Sequence, residues 1–237
     1  MTTKNNHKQT QISCWRELRT LYQKKPLLFL GEVHGAKANI KIIKLLVKRL
    51  GVKTVFFEWP LSWNRLLKTL IRGSRTNETL KEFQKLSDGR ISKDHLELLD
   101  FLYKKKIKVF CIDGDNLVKN WNAKDKSVAQ NIKKTTTSRA LPCLIVLGNL
   151  HARKNNFEYQ KQKFIPAGSY FKKQGVFVLI GYGSGTIYNF GLEKIMDKEI
   201  LKKLNKQQDY RLLLSKNKYF DYEILVRKTE PVKSINS

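Results

Sequence analysis

Four places in the 237-residue sequence put ionisable side chains directly after a short apolar run. Glu32 and His34 close the run that begins at Pro26, and Glu58 follows Lys53–Phe57. Asp113 and Asp115 follow Ile107–Ile112, and Asn149 and His151 follow Pro142–Leu147. The chain has only four histidines, and two of them fall at these places. An imidazole titrates near neutral pH, so it can take a proton from water, give one to a leaving group, or ligate a metal. A neighbouring carboxylate orients the ring and raises its basicity. Two histidines with two or more carboxylates also suit Zn, Mn or Fe. A single acid at a strand end is explained by a turn or a helix cap, as the Asp-Gly-Asp-Asn around Asp115 would be. Four such ends arriving together are better explained by a shared cleft.

That convergence requires the apolar runs to be neighbouring parallel strands. Each run is nearly continuous in apolar residues, the pattern of a strand covered on both faces. The runs are separated by helical periodicity, which predicts helices over Ala38–Leu50 (stopped by Gly51), Leu61–Ile71, Glu78–Leu86, Lys93–Lys104 (capped by Ser92) and Asp125–Lys134. Two more extended runs follow, Gly175–Ile180 and Tyr222–Val226. Strand alternating with helix predicts right-handed crossovers and a three-layer α/β fold. Its central sheet is mostly parallel, with helices on both faces. Ligands of such sheets bind beyond the carboxyl ends of the strands, where the residues above fall. No linker or repeat interrupts the chain. The expectation is one domain over 1–237, with its core at 26–228, a flexible segment at 1–11 and a loose tail at 229–237.

The formal net charge is +27, from 47 Lys+Arg against 20 Asp+Glu. That balance invites a nucleic-acid reading. The basic residues are 36 Lys and 11 Arg, whereas base readout leans on Arg forks. They are scattered over nearly every predicted helix, so a solvated surface explains them better. The Gly-Tyr-Gly-Ser-Gly at 181–185 lacks the phosphate-loop pattern and reads as a turn. Trp59, Trp63 and Trp121 could stack on bases, but cleft wall or core packing suits Trp59 better, beside Glu58. Cys14, Cys111 and Cys143 are far apart, an odd count without a metal or disulfide spacing. Residues 1–11 are polar, with no signal-peptide core or lipobox, and no apolar run is long enough to span a bilayer. These features predict a cytoplasmic protein whose excess charge would at most favour an anionic ligand. They leave its oligomeric state open.

The motifs also resemble a known superfamily. Leu-Gly-Glu-Val-His-Gly at 30–35, Phe-Phe-Glu at 56–58 and Gly-Asn-Leu-His-Ala at 148–152 are similar to motifs of the ChaN-like, Tiki and erythromycin-esterase proteins. Asp125, Val128, Ala129 and Asn131 resemble that superfamily's helical segment, with Lys124 where an Arg is usual. Lysine cannot make the bidentate fork of an arginine. The resemblance spans residues 27–185. It implies the same three-layer fold and a site at the strand ends. It carries over Glu32, His34, Glu58 and His151 as the core, catalytic or holding a divalent metal. Asp113, Asp115, Lys124 and Asn149 would touch substrate or support that core. Members are variously haem-binding uptake proteins, metal-dependent proteases, esterases and a toxin domain.

Two functions of different class follow. In the first, a histidine, alone or on Mn, Zn or Fe, activates water to hydrolyse a small-molecule or peptide substrate. No Gly-x-Ser-x-Gly nucleophile motif competes with it. In the second, the same residues hold haem or iron without turnover. Binding to nucleic acid or an anionic surface rests on charge alone and ranks third.

Overall fold

The computed structural model describes residues 2–71, 81–82, 91–114, 120–136 and 140–233. Elements are numbered in chain order. Helix α1 (Thr2–Lys24) is followed by β1 (Leu27–Glu32), α2 (Ala38–Leu50), β2 (Thr54–Pro60), α3 (Trp63–Ile71), α4 (Lys93–Lys104) and β3 (Lys108–Asp113). Next come α5 (Trp121–Thr135), β4 (Cys143–Gly148), a hairpin of β5 (Phe157–Tyr159) and β6 (Gln162–Phe164), and a 3-10 turn at Ala167–Phe171. The chain continues through β7 (Gly175–Tyr188), β8 (Leu192–Met196), α6 (Lys198–Lys203), β9 (Tyr210–Leu214) and β10 (Tyr222–Thr229).

The main sheet runs β3-β2-β4-β1-β7-β10-β9, with β8 pairing antiparallel on the far half of β7. Every neighbouring pair from β3 to β10 is parallel, and β9 is antiparallel to β10. Strand alternation sorts the apolar side chains to two faces. Leu28 and Leu30 of β1, with Val55, Phe57 and Val146, pack on one side under α1, α2 and α4. Leu27 and Phe29, with Phe56, Ile145 and Leu147, pack on the other under Val128, Ala129 and Ile132 of α5 and Phe171 of the 3-10 turn. The three-layer, mostly parallel expectation is therefore met. Cys14, Cys111 and Cys143 are buried free thiols.

Local sequence sets the element ends. Helix α2 presents Ile40, Ile43, Leu46, Val47 and Leu50 to the core and stops at Gly51, whose backbone is left-handed (φ 67, ψ 36). The Ser92 hydroxyl caps α4 by accepting the His95 N–H.

Several expectations require correction. Residues 181–185 are not a turn: they continue β7, which runs 14 residues. The glycines there permit close approach. A Cβ on Gly185, at φ +127, would lie 1.9 Å from the Thr229 carbonyl oxygen. The polar stretch before residue 12 continues into α1, so from Thr2 on it is helical. The segment 229–233, read as the start of a loose tail, is tied down. Glu230 O accepts from Lys37 N (2.9 Å), Val232 N donates to Gly35 O (3.0 Å), and Lys233 N donates to Asp94 Oδ2 (2.7 Å). The hairpin β5–β6, strands β8 and β9, and helix α6 carry too little apolar periodicity to be read from sequence. Within the predicted helix 78–86 only Lys81 and Glu82 are described, both helical; the rest lies outside the described residues. No described helix is long and apolar enough to cross a membrane.

Phe29 is fully buried between Phe171 (ring centroids 5.2 Å) and Phe177 (5.0 Å). Phe29→Ala is expected to cost about 3–5 kcal/mol in denaturant unfolding, the sum of lost transfer energy and the cavity left behind. A loss below about 1 kcal/mol would mean this layer is not packed as described.

Candidate functional site

The carboxyl ends of β1, β2, β3 and β4 lie at one edge of the sheet and bring the sequence-predicted residues together. Glu32 ends β1, Asp113 ends β3, and Gly148 ends β4 opposite Glu32. Glu58 lies in β2 where its pairing to β3 shifts register between Phe57 and Pro60. Such an irregularity re-aims a side chain. Both oxygens of Glu58, which is 5% exposed, are engaged. Oε1 accepts from Lys124 Nζ (2.9 Å), and Oε2 accepts from the Gly148 N–H (2.8 Å). Burial alone would push this carboxyl up. His151, Lys124, His34 and the Gly148 N–H together outweigh burial and hold it well below the usual carboxylate range.

His151 sits in a turn closed by Ala152 N to Gly148 O (3.0 Å). Its Nδ1 lies 2.8 Å from Asp125 Oδ1, and its Nε2 lies 3.8 Å from Glu58 Oε1. Burial would lower its pKa, but Glu58 and Asp125 prevail and raise it. Burial in turn pushes the Asp125 carboxyl up, against its bond to His151. The indole N–H of Trp121 also lies 2.9 Å from Nδ1. One nitrogen cannot donate to Asp125 and accept from Trp121 at once. The bond to the carboxylate is charge-assisted and wins, so Nδ1 carries the proton and Trp121 fixes the ring by packing at 5.1 Å between centroids.

On the opposite side, His34 Nδ1 lies 3.2 Å from Glu32 Oε1. Both backbone groups of the residue between them, Val33, are held by buried side chains. Asn39 Nδ2 donates to Val33 O (2.9 Å), Val33 N donates to Tyr182 Oη (3.4 Å), and Tyr182 Oη donates to Asn39 Oδ1. The two histidines meet over Gly148. A Cβ there would lie 3.3 Å from His34 Nε2, 3.3 Å from His151 Cδ2 and 3.6 Å from Glu58 Oε2. Glycine at 148 thus leaves a gap of one atom between two imidazoles and a carboxylate.

Helix α5 supplies the other half of the site. Lys124 bridges Glu58 and Asp113 Oδ2 (3.3 Å), one contact to each in place of a fork to one. Asn131 and Val128 hold the helix down, the first by donating to Ile112 O (3.1 Å) and the second by core packing. Asn149 is half-buried beside Gly148, and its N–H donates to Glu32 O (2.8 Å). Asp115 lies outside the described residues. Among the described residues no group of three or more His, Cys, Asp or Glu is placed to hold a metal ion. With Lys124 and the Gly148 N–H on its two oxygens, Glu58 is a poor fit to the expected metal shell.

Sequence reasoning missed four participants. Trp121 is the first residue of α5, and the packing of its ring on His151 has no motif. Asn39 and Tyr182 act through backbone groups. His95 is 4% exposed, with Nδ1 2.9 Å from Ser92 Oγ. With Glu32, His34, Glu58 and Trp59 it lines a cavity of about 10 Å³. Trp59 therefore forms a cleft wall, as expected, and it also stacks on Phe57 (4.3 Å). The one available signal for His95 was a histidine among the buried positions of α4.

No protein-family model and no curated protein matches the sequence. Solved structures do match. A succinoglycan biosynthesis protein aligns with a TM-score of 0.70 at 11% identity, covering 98% of this chain and 99% of that one. A mutant of the erythromycin esterase EreC aligns with a TM-score of 0.67 at 10% identity, covering 93% and 96%. The type III effector HopBA1 aligns with a TM-score of 0.56 at 15% identity, covering 90% and 93%. The chain has the fold of these proteins.

Two outcomes are expected from this geometry. Gly148→Ala fills the gap between the imidazoles. It should move the ring signals of both His34 and His151 in NMR spectra while shifting the melting temperature little; unchanged rings would refute the arrangement. Burial holds His95 down to about 4 from an ordinary 6.5, so the unfolded chain binds its proton more tightly. Stability from this group is complete above about pH 6.5 and is lost as pH falls toward about 4. Urea midpoints measured at several pH values should show that loss in the parent chain and a flatter profile in His95→Gln.

Proposed function

We propose that the chain is a hydrolase that uses two carboxylate-bound histidines on opposite sides of Gly148, His34 as general base and His151 as general acid. The observation that supports this most is the pairing itself. Glu32 lies on Nδ1 of His34, which leaves Nε2 as the basic nitrogen facing the gap. Asp125 and Glu58 flank His151, which favours its protonated form. One ring with a bare Nε2 on the gap and a second held protonated by two carboxylates can serve as base and acid on one reacting group.

In this reading a water above Gly148 loses its proton to His34 Nε2 as its oxygen attacks an acyl carbon. His151 then delivers a proton to the departing oxygen. Glu32 and Asp125 keep the rings in the required tautomers, and Lys124 helps to hold Glu58 ionised. The substrate class is an ester, in line with a fold shared with an esterase. The local charge bears on its sign. Four carboxylates, Glu32, Glu58, Asp113 and Asp125, line the site against Lys124, which bridges Glu58 and Asp113, and a protonated His151, so the centre favours a neutral or cationic acyl group over an anion despite the net charge of +27.

The test is a panel of neutral, cationic and anionic esters with the full chain. His34→Ala and His151→Ala should each lower kcat by about 10²-fold or more. Retention of parent activity in either variant would falsify the assignment. If no ester turns over but a haem Soret band forms and disappears in the two variants, the site is a haem-binding one instead. The pH profile of kcat/KM separates the two roles. The acid must be protonated, so activity falls as pH rises through the raised pKa of His151. Asp125→Asn removes one raising partner and should move that alkaline limb to lower pH.

A further inference from the structure

We propose that His95 is a third working histidine of the site, a positioning residue that donates from Nε2 to a single water held between itself, Glu32 and His34. This rests on the hydrolase reading for its use, but its geometry stands apart from that reading.

The Ser92 hydroxyl accepts the His95 backbone N–H (3.3 Å) as the cap of α4. The same oxygen lies 2.9 Å from His95 Nδ1. A hydroxyl has one proton to give and lone pairs to spare. One lone pair serves the cap, and in this proposal the hydroxyl proton points to Nδ1. With Nδ1 accepting, the imidazole is the Nε2–H tautomer, and burial at 4% exposure keeps it uncharged. Nδ1 is used by Ser92, and among the described residues Nε2 has no protein partner. The cavity that His95 lines has a volume of about 10 Å³, the room that one water needs. Its other polar walls are Glu32, His34 and Glu58, which supply the remaining partners a buried water requires. A donor on one side and a carboxylate on the other fix which way that water points. Trp59 sits over His95 edge-on, at 5.8 Å between centroids, and keeps the ring from turning.

A water so placed touches the base side of the site. Its lone pair accepts from His95, and its protons face Glu32 and His34. His95 thus sets the orientation of the nucleophile without taking its proton.

The experiment has one arm that needs no substrate. Long-range proton–nitrogen NMR of the full chain should show His95 as the neutral Nε2–H tautomer across about pH 5.5–8, with a cross-peak from its Hε2 to water. That cross-peak should be absent in His95→Leu. In His95→Gln, whose amide can donate from a similar place, the side-chain amide should show an equivalent one. The kinetic arm uses the ester panel. His95→Leu should lower kcat at least tenfold with KM unchanged, and His95→Gln should recover most of it. A His95 proton on Nδ1, no cross-peak to water in the parent chain, or full kcat in His95→Leu would each overturn the proposal. If the parent protein hydrolyses nothing, the hydrolase reading fails while the tautomer and the bound water still decide the role of His95.

Discussion

The buried carboxylate of Glu58 is the constraint around which the rest of the site is arranged. An ionised carboxylate out of water costs several kcal/mol unless charge and hydrogen bonds replace its hydration. The replacements come from two parts of the chain: the ammonium of Lys124 on α5, and the N–H of Gly148 with the ring of His151 at the end of β4. The side chain reaches them because β2 stops pairing with β4 at Phe57 and shifts against β3. Meeting the demand at Glu58 therefore fixes the end of β4, the turn after it and the docking of α5. Removing one partner would leave a charge that the others cannot satisfy.

This requirement also explains how a chain of net charge +27 contains an acidic centre. The lysines are mostly solvated, where each costs little. Among the described residues Lys124 is the lysine drawn into the cluster, and it is shared between Glu58 and Asp113. An arginine there would fork onto one carboxylate. A lysine is a point charge and can sit between two. The sequence reading of charge as a hint of an anionic ligand rested on the surface, whereas the residues gathered around Glu58 include several acids.

Much of this was legible in the sequence because it followed periodicity. Continuous apolar runs identified β1 to β4, and the residues after them named Glu32, His34, Glu58, Asp113 and His151 before any contact was known. The runs also gave β7 its start, but not its length. Residues 181–185 read as a turn because glycine is locally permissive, whereas tertiary contact with β10 makes glycine necessary there. The tail at 229–233 carries no apolar pattern either; its order comes from backbone bonds to residues 35–37 and from Asp94. His95 was hidden for a different reason. On a helix with leucines on its buried face, a histidine looks like one more packed residue, and the cavity beside it is visible only in the fold.

The two histidines over Gly148 are held from opposite layers of the molecule. His34 and Glu32 depend on Asn39 of α2 and Tyr182 of β7, which clasp the backbone of Val33. His151 depends on Asp125 and Trp121 of α5, on the other face of the sheet. Their separation is then set by the thickness of the sheet edge at Gly148, where a Cβ would already crowd both rings. A close-packed sheet deforms little, so the packing of that edge is enough to hold the gap. An acid–base pair needs this arrangement: rings near enough to share one reacting group, each tied to its own carboxylate, and neither able to neutralise the other.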